Sequence, residues 1–477
     1  MSTNGFTLSD GMHLHLVGVG GSGMSAIANV LLDRGFTISG SDLQENETVE
    51  ALRERGANVI TGHAEENIAG AAALIVSSAV PADNPEIVAA RKNGVPVLKR
   101  AGFLRYLMAG QVGIAVAGTH GKTTTTAMIT HMLLETGHDP SVILGGNLPL
   151  VGGNGRAGSG GYFVIEADEY DHMFLGLRPE IAVITNIEHD HPDIFPTLAD
   201  YLDAFCEFAT LLPQHGKLIV SGEDPEVVEM LVEVKMPGAE LVTYGLVEEP
   251  ASGLNIDLKA IDCRPNQLGG TDFVVIDDEQ TIGLVRLRVP GLHNVRNALA
   301  AIAVALHLEL DFGQVCRALA DFGGVGRRFQ VLGEIGSVTI IDDYAHHPTE
   351  IQATLAAARQ RYGERRLWAI WQPHTYSRTR LLLPKFATSF ADADRVIALD
   401  IYRSRETDTL GIDPAEIASG IQHPSAIYIG QKQEAIDYLL DRIRPGDVVL
   451  TLGAGDSFLV GEGLLDRLKV RVETHRP

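Results

Sequence analysis

The sequence of 477 residues predicts an α/β protein of three units, each built around a parallel sheet. Three observations carry that expectation. Two glycine-rich loops each lie between an apolar, strand-like run and a helix-like pattern. Strand and helix signals alternate along the chain, as in βαβ arrays. The length suits about three domains of typical size.

The first unit is expected over residues 1–107. His13–Val17 reads as a strand. Gly18-Val19-Gly20-Gly21-Ser22-Gly23 follows, a full G-x-G-x-x-G match that opens a helix running to about Arg34. A second strand, 36–40, ends at Ser41-Asp42; further strands are expected at 74–76 and 95–98, with a helix over Pro85–Lys92 between them. An acidic residue about 20 positions past such a loop is what a dinucleotide site uses to hold a ribose hydroxyl. The physics, however, asks only for a diphosphate at a helix N-terminus. A nucleotide-sugar diphosphate meets that demand as well as NAD(P) or FAD does. Gly18, Gly20, Gly21, Ser22, Gly23, Asp42 and Ser78 are the candidate substrate-binding residues of this Rossmann-like unit.

The second unit, expected over 108–325, holds the most informative stretch. The apolar run Val112–Ala117 leads into Gly118-Thr119-His120-Gly121-Lys122-Thr123-Thr124, and a helix pattern follows with Met128, Ile129, Met132 and Leu133 on one face. Strand, glycine turn, Lys-Thr, helix is the architecture of a phosphate-binding loop. Glycines let backbone N–H groups face a triphosphate, and the helix N-terminus adds positive potential. Lys122 would reach the β/γ-phosphates and the Thr123 hydroxyl would sit on Mg²⁺. The spacing is a shortened G-x-x-G-K-T, because position 116 is Val where the longer loop has Gly. Two more strands, 162–165 and Ile181–Ile184, end in acidic runs, Glu166-Ala167-Asp168-Glu169-Tyr170-Asp171 and Thr185-Asn186-Ile187-Glu188-His189-Asp190-His191-Pro192-Asp193. Parallel strands bring both runs to the edge that carries the phosphate loop. Carboxylates there suit Mg²⁺, which prefers oxygen ligands; His191 is a softer donor and less suited on chemistry alone. Residues 254–290 alternate in a β-like pattern and suggest an antiparallel edge.

The third unit, 326–477, is expected to be Rossmann-like again, with strands at 338–341, Leu367–Trp371, 395–399 and Val448–Leu452.

Composition narrows the function class. Hydrophobic content of 45% and charged content of 21% are ordinary for a globular protein. The net charge of −23, without a Lys/Arg cluster, argues against a nucleic-acid partner. No apolar run approaches the ~18–20 residues of a membrane-spanning helix, and no signal-peptide pattern opens the chain. Cys206, Cys263 and Cys316 are far apart and form no CxxC pair, which argues for a reducing compartment and against structural zinc. A cytoplasmic location is expected, with no membrane partner.

Six segments together carry a family resemblance: GTHGKTTTT, VIEADEYD, TNIEHDHPD, PGLHNVRNALAA from Pro290, IIDDYAHHPTE from Ile340 and WQPHTYSRTR from Trp371. The chain resembles the Mur ligase family across all three units. GVGGSGMSAIA at 18–28 and the last two segments resemble the branch that joins L-alanine to UDP-N-acetylmuramate. The resemblance implies ATP-dependent amide synthesis with Mg²⁺, in peptidoglycan precursor assembly, by a monomer or homodimer. The N-terminal loop would then hold the UDP diphosphate.

The resemblance also implies roles. Lys122 would be a γ-phosphate ligand, and Thr123, Glu166 and His191 magnesium ligands. His293, Asn294 and Asn297 match the adenine-side motif. Arg328 and Asp343 would complete the ATP site from the C-terminal unit. Tyr344, His346, His374 and Arg378 would line the amino-acid pocket, with His346 and His374 as candidate general bases by their pKa range. Family members acting later on the peptide carry a carbamylated lysine after the DH-x-D turn; here no Lys occurs between Asp193 and Lys217. Thr375 departs from the pattern, since some relatives have Arg there.

Two readings from other classes compete. An NAD(P)-dependent oxidoreductase using 18–23 leaves the phosphate loop and the acidic strand ends without a task. A non-catalytic nucleotide switch leaves the first and third units without one. Within the family, a muropeptide-recycling ligase that attaches a preformed tripeptide is the runner-up, although its N-terminal loop is generally less rich in glycine and serine.

Overall fold

The computed structural model describes residues 6–234, 238–246 and 253–474. They form three sheets. The first has five parallel strands in the order Asn58–Thr61, Thr37–Asp42, His13–Val17, Ala73–Val76, Val97–Lys99. The glycine-rich loop joins its central strand to the helix Ser22–Asp33. The second strand starts and ends later than its apolar residues suggest, so Asp42 is its last residue and not part of the following turn.

The central sheet has ten strands. Its parallel core runs Glu240–Gly245, Lys217–Ser221, Ile181–Ile184, Val112–Ala117, Tyr162–Glu166, Ser141–Leu148. Leu258–Pro265, Thr271–Asp277 and Gln280–Arg286 extend one side as an antiparallel meander, as their alternation predicts. Gly153–Arg156 closes the other side, antiparallel to its neighbour. The inner strands are buried on both faces, which is why they read as unbroken apolar runs. Helix Lys122–Glu135 is buried from Thr123 to Leu133, packed between the sheet and helices Leu292–His307 and Phe312–Asp321.

The third sheet has six strands in the order Gln330–Ile335, Val338–Asp343, Val448–Leu452, Leu367–Trp371, Arg395–Ala398, Ala426–Tyr428. All neighbours pair in parallel except the first two. Its apolar core splits into two clusters, one on each face, as expected for a doubly wound sheet. The three cysteines are unpaired and half-buried. Among the described residues no helix is long and apolar enough to cross a membrane.

Helices pack the three units against one another. Helix Ser22–Asp33 of the first packs on Ser141–Leu148 and Gly153–Arg156 of the second. The approach is so close that a Cβ on Gly155 would lie 2.2 Å from the Ala26 carbonyl oxygen. Helix Pro348–Tyr362 of the third packs beside Leu292–His307 of the second.

Candidate active site

The phosphate loop adopts a conformation its sequence requires. Gly118 and Gly121 have φ of +123° and +83°, a region that disfavours any side chain. A Cβ on Gly121 would also lie 2.4 Å from Asn297 Oδ1, so loop and helix Leu292–His307 are fitted together. Thr119 anchors the loop to the acidic turn: its hydroxyl donates to the Glu188 carbonyl (2.9 Å) and accepts from the Glu188 N–H (2.8 Å).

Lys122 folds back over its own loop. Its ammonium donates to the carbonyls of Gly118 (2.5 Å) and Thr119 (3.0 Å) and pairs with Glu169 at 3.0 Å. Glu169 is 1% exposed and also accepts from the Tyr201 hydroxyl. Thr123 Oγ1 donates to Glu166 Oε1 at 3.0 Å, and the other Glu166 oxygen accepts from the Gly145 N–H at 2.7 Å. Burial raises the Glu166 pKa. Hydroxyl beside carboxylate is a hard-oxygen pair of the type that suits Mg²⁺. His191 stands apart from that pair. Its Nε2 lies 3.7 Å from both Glu169 and Asp190, and its ring faces Tyr170 edge-on.

A cleft of about 360 Å³ opens between the phosphate loop and the third unit. His120, Gly121, Thr123 and Thr124 form its floor; His293, Asn294 and Asn297 one wall; Arg328 and Asp343 another. Two units thus contribute residues to one cavity. His293 is kept neutral, its pKa pushed down to about 4 by burial and by Arg296 and Arg328. Burial raises Asp343 to about 6, although Arg328 and the N–H groups of Phe329 and Ala345 favour its charge. Asp224, Tyr244, Glu223 and Arg296 also line the cleft. Arg296 lies within the PGLHNVRNALAA segment, while Glu223, Asp224 and Tyr244 belong to no motif, and only their position at or after the strands Lys217–Ser221 and Glu240–Gly245 could have drawn attention to them.

Tyr344, His346, His374 and Arg378 gather beside this cleft, not in it. The rings of Tyr344 and His346 are 5.4 Å apart, and those of His346 and His374 are 5.8 Å apart. His374 Nδ1 accepts from the Arg378 guanidinium at 3.0 Å and its ring stacks on Tyr402. Both histidines are neutral at pH 7: burial pushes His346 well down, and burial with Arg378 pushes His374 down to about 4. Arg378 grips Asp190 of the central unit with two hydrogen bonds. Thr375 opens the helix carrying Arg378, with φ of +63°.

His120, Glu188 and His347 come within 4.8 Å of one another, a donor set that could hold a cation. The local chemistry favours an ion pair. Burial opposes charge on His120, but hydrogen bonds to Glu188 (3.1 Å) and Glu350 (3.2 Å) outweigh it and push the pKa up to about 9. An imidazolium has no lone pair left for a metal. Glu188 in turn accepts from Lys385 (2.7 Å) and Thr349 (2.6 Å) of the third unit.

In the first unit, Gly20 N–H donates to Asp42 Oδ2 at 2.9 Å, so Asp42 braces the glycine loop. Ser22 starts the helix behind Gly21, its N-cap residue. Ser78 is exposed in the turn after Ala73–Val76; Ser77, not Ser78, is the residue packed against Gly18.

Family models describe the same three units: "Mur ligase family, catalytic domain" matches residues 13–112, "Mur ligase middle domain" 116–305, and "Mur ligase, glutamate ligase domain" 327–455. The chain belongs to the Mur ligase family. This Mur ligase is 43% identical to the UDP-N-acetylmuramate–L-alanine ligase of Geobacter sulfurreducens over 96% of its own length and 97% of that protein's. It is also 43% identical to the enzyme of the same name from Pelotomaculum thermopropionicum, over 96% and 98% of the two chains. Among solved structures, the UDP-N-acetylmuramate–alanine ligase of Thermotoga maritima superposes with a TM-score of 0.80 at 29% identity, covering 96% of this chain and all of that one. A murein peptide ligase from Psychrobacter arcticus superposes with a TM-score of 0.71 at 27% identity, over 96% and 99%. As a Mur ligase, this protein is an ATP-dependent ligase.

Proposed function

We propose that this Mur ligase joins L-alanine to the carboxylate of UDP-N-acetylmuramate, forming UDP-N-acetylmuramoyl-L-alanine, ADP and phosphate in peptidoglycan synthesis in the cytoplasm. One observation carries the reading: phosphate loop, His-Asn-Asn wall and the Arg328–Asp343 pair share one cleft, while a second, diphosphate-type glycine loop sits in another unit. A dehydrogenase would need only the latter.

A carboxylate is a poor electrophile toward an amine. Transfer of the γ-phosphoryl group of ATP turns it into an acyl phosphate; attack by the alanine amine through a tetrahedral intermediate then expels phosphate. Phosphoryl transfer depends mainly on positioning and charge neutralisation. Lys122 is suited to the γ-phosphate, with the N–H groups of Gly121 to Thr124 at the helix start around the triphosphate chain, those of Thr119 and His120 being taken by Asn186. His293, Asn294 and Asn297 would hold the adenine side, and Arg328 and Asp343 would close the site. Thr123 and Glu166 are suited to hold Mg²⁺, with His191 facing a second position beside Glu169. The ion would supply charge neutralisation on the phosphates. Gly18, Gly20, Gly21, Ser22, Gly23, Asp42 and Ser78 would hold the UDP portion.

Tyr344, His346, His374 and Arg378 would line the pocket for L-alanine, with Arg378 held in place by Asp190 and His374. The neutral histidines, His346 and His374, are each able to accept the amine proton.

The test is ADP release by the purified protein with UDP-N-acetylmuramate, comparing no amino acid, L-alanine, glycine, L-serine and the recycling tripeptide. Turnover with L-alanine alone or best is expected. Turnover with the tripeptide and not L-alanine would replace this reading with the recycling ligase.

A further inference from the structure

A second, smaller cleft of about 60 Å³ lies between the first and central units, lined by Gly23, Arg100, Leu144, Glu166, Asp168 and Met173 among others. Its walls are mostly apolar. Arg100 is the one cation that lines it among the described residues. This arginine opens the helix Arg100–Met108, and its neighbours leave it incompletely satisfied. One Nη donates to Asp168 at 3.2 Å. The other lies against the glycine-loop helix, where a Cβ on Gly23 would be 2.0 Å away. Its Nε is buried and has no hydrogen-bond partner.

A guanidinium presents five donors in a fork that matches two-oxygen acceptors, and a buried donor left unpaired is costly. The fork edge formed by Nε and an Nη therefore calls for an anion with paired oxygens. The cleft also carries two carboxylates, Glu166 and Asp168, which would repel an anionic substrate if no cation faced them. One wall belongs to the diphosphate-type loop and the other to the Thr123–Glu166 pair.

We propose that Arg100 binds an anionic group of the UDP-sugar as that substrate passes from the glycine loop to the phosphate loop, with Asp168 holding the guanidinium in place. The inference rests on the function proposed above and adds a binding residue to it. Two groups of that substrate have the required oxygens: the diphosphate and the lactyl carboxylate.

Calorimetric titration of wild type, R100Q, R100K and D168N with UDP-N-acetylmuramate, UDP-N-acetylglucosamine and an ATP analogue tests it. R100Q is expected to weaken UDP-N-acetylmuramate binding about tenfold or more, the loss of charge-assisted hydrogen bonds, and to spare the ATP analogue. R100K, which keeps the charge without the fork, should recover only part of the loss; it also serves if melting shows R100Q unfolded. D168N, which keeps an acceptor oxygen for the guanidinium, should lose less affinity than R100Q. Equal weakening of UDP-N-acetylglucosamine, which lacks the lactyl group, assigns the diphosphate; no weakening of it assigns the carboxylate. Wild-type affinity in both Arg100 variants, or equal losses in R100Q and D168N, would reduce Arg100 to a clamp between units and overturn the proposal. A wild-type protein that binds neither UDP-sugar would instead refute the function on which it rests.

Discussion

Arg378 and Asp190, 188 positions apart in sequence, meet across the boundary between the third and central units in a two-point ion pair with distances of 2.9 and 3.1 Å. Both side chains are nearly buried, at 7% and 6% exposure. Removing one partner leaves a buried charge uncompensated, at a cost of about 3–5 kcal/mol. R378A is therefore expected to loosen the third unit and lower kcat/KM for L-alanine by at least about tenfold. R378K should not restore it, because an ammonium cannot reproduce the fork. Limited proteolysis near residue 326 together with steady-state kinetics would check this; full activity in R378K would contradict it.

Lys122→Ala should reduce ligation on the order of 10³-fold or more, because it removes a charge aimed at the transferring phosphoryl group. The side chain holds loop carbonyls and pairs with buried Glu169, so the melting temperature should fall as well, and turnover is compared below that transition. Near-normal turnover in this variant would refute the ATP-site assignment.

Thr123→Ala and Glu166→Ala should raise the Mg²⁺ concentration needed for half-maximal activity, with partial rescue at high Mg²⁺. His191→Ala should do so more weakly, since His191 sits with Glu169 and Asp190 and away from the Thr123–Glu166 pair. Titration of activity against Mg²⁺ for the three variants measures the order; an unchanged Mg²⁺ requirement in all of them would remove the metal assignment.

Gly21→Val separates substrate effects from folding effects. A Cβ at Gly21 meets nothing closer than the Gly18 carbonyl oxygen at 3.8 Å, so the protein itself has room for it. The variant should lose affinity for UDP-N-acetylmuramate and keep affinity for an ATP analogue. If the loop held NAD instead, wild type would bind NADH and Gly21→Val would abolish that binding; calorimetry with the three ligands decides.

His120 gives a pH signature. Its folded pKa of about 9 lies above the ordinary histidine value of 6.5, so the stabilisation it brings is complete below 6.5 and disappears as pH rises through about 9. The shift corresponds to about 3 kcal/mol at most. Melting temperature should fall between pH 6.5 and 9.5 more steeply in wild type than in H120Q. Parallel slopes would mean that the Glu188–His120–Glu350 bridge does not form.

The sequence made the chemistry of each unit readable and left the contacts between units dark. Runs such as Ile181–Ile184 and Leu367–Trp371 announce buried parallel strands because both faces are apolar. Gly153–Arg156 and Ala426–Tyr428 do not, being short and either glycine-rich or half-exposed. The phosphate loop and the His293 motif were legible because phosphate and nucleotide recognition impose fixed local spacing. Glu188 with Lys385, His120 with Glu350, and Arg100 with Asp168 depend on how whole units dock, which no local spacing encodes. Glu169 lay in a visible acidic run, yet only the fold distinguishes its place beside Lys122 from that of Glu166 beside Thr123.

The cleft proposed for the nucleotide is shared by two bodies, and this links affinity to a mechanical equilibrium. A ligand seated there acts as an adhesive between them, so its apparent dissociation constant is the intrinsic one divided by the fraction of molecules already assembled. Residues remote from the nucleotide, Arg378 and Lys385 among them, should then influence its retention by changing that fraction alone. Conversely, saturating nucleotide should raise the melting temperature of the C-terminal body more than that of the N-terminal one, which among the described residues contributes none to the cleft.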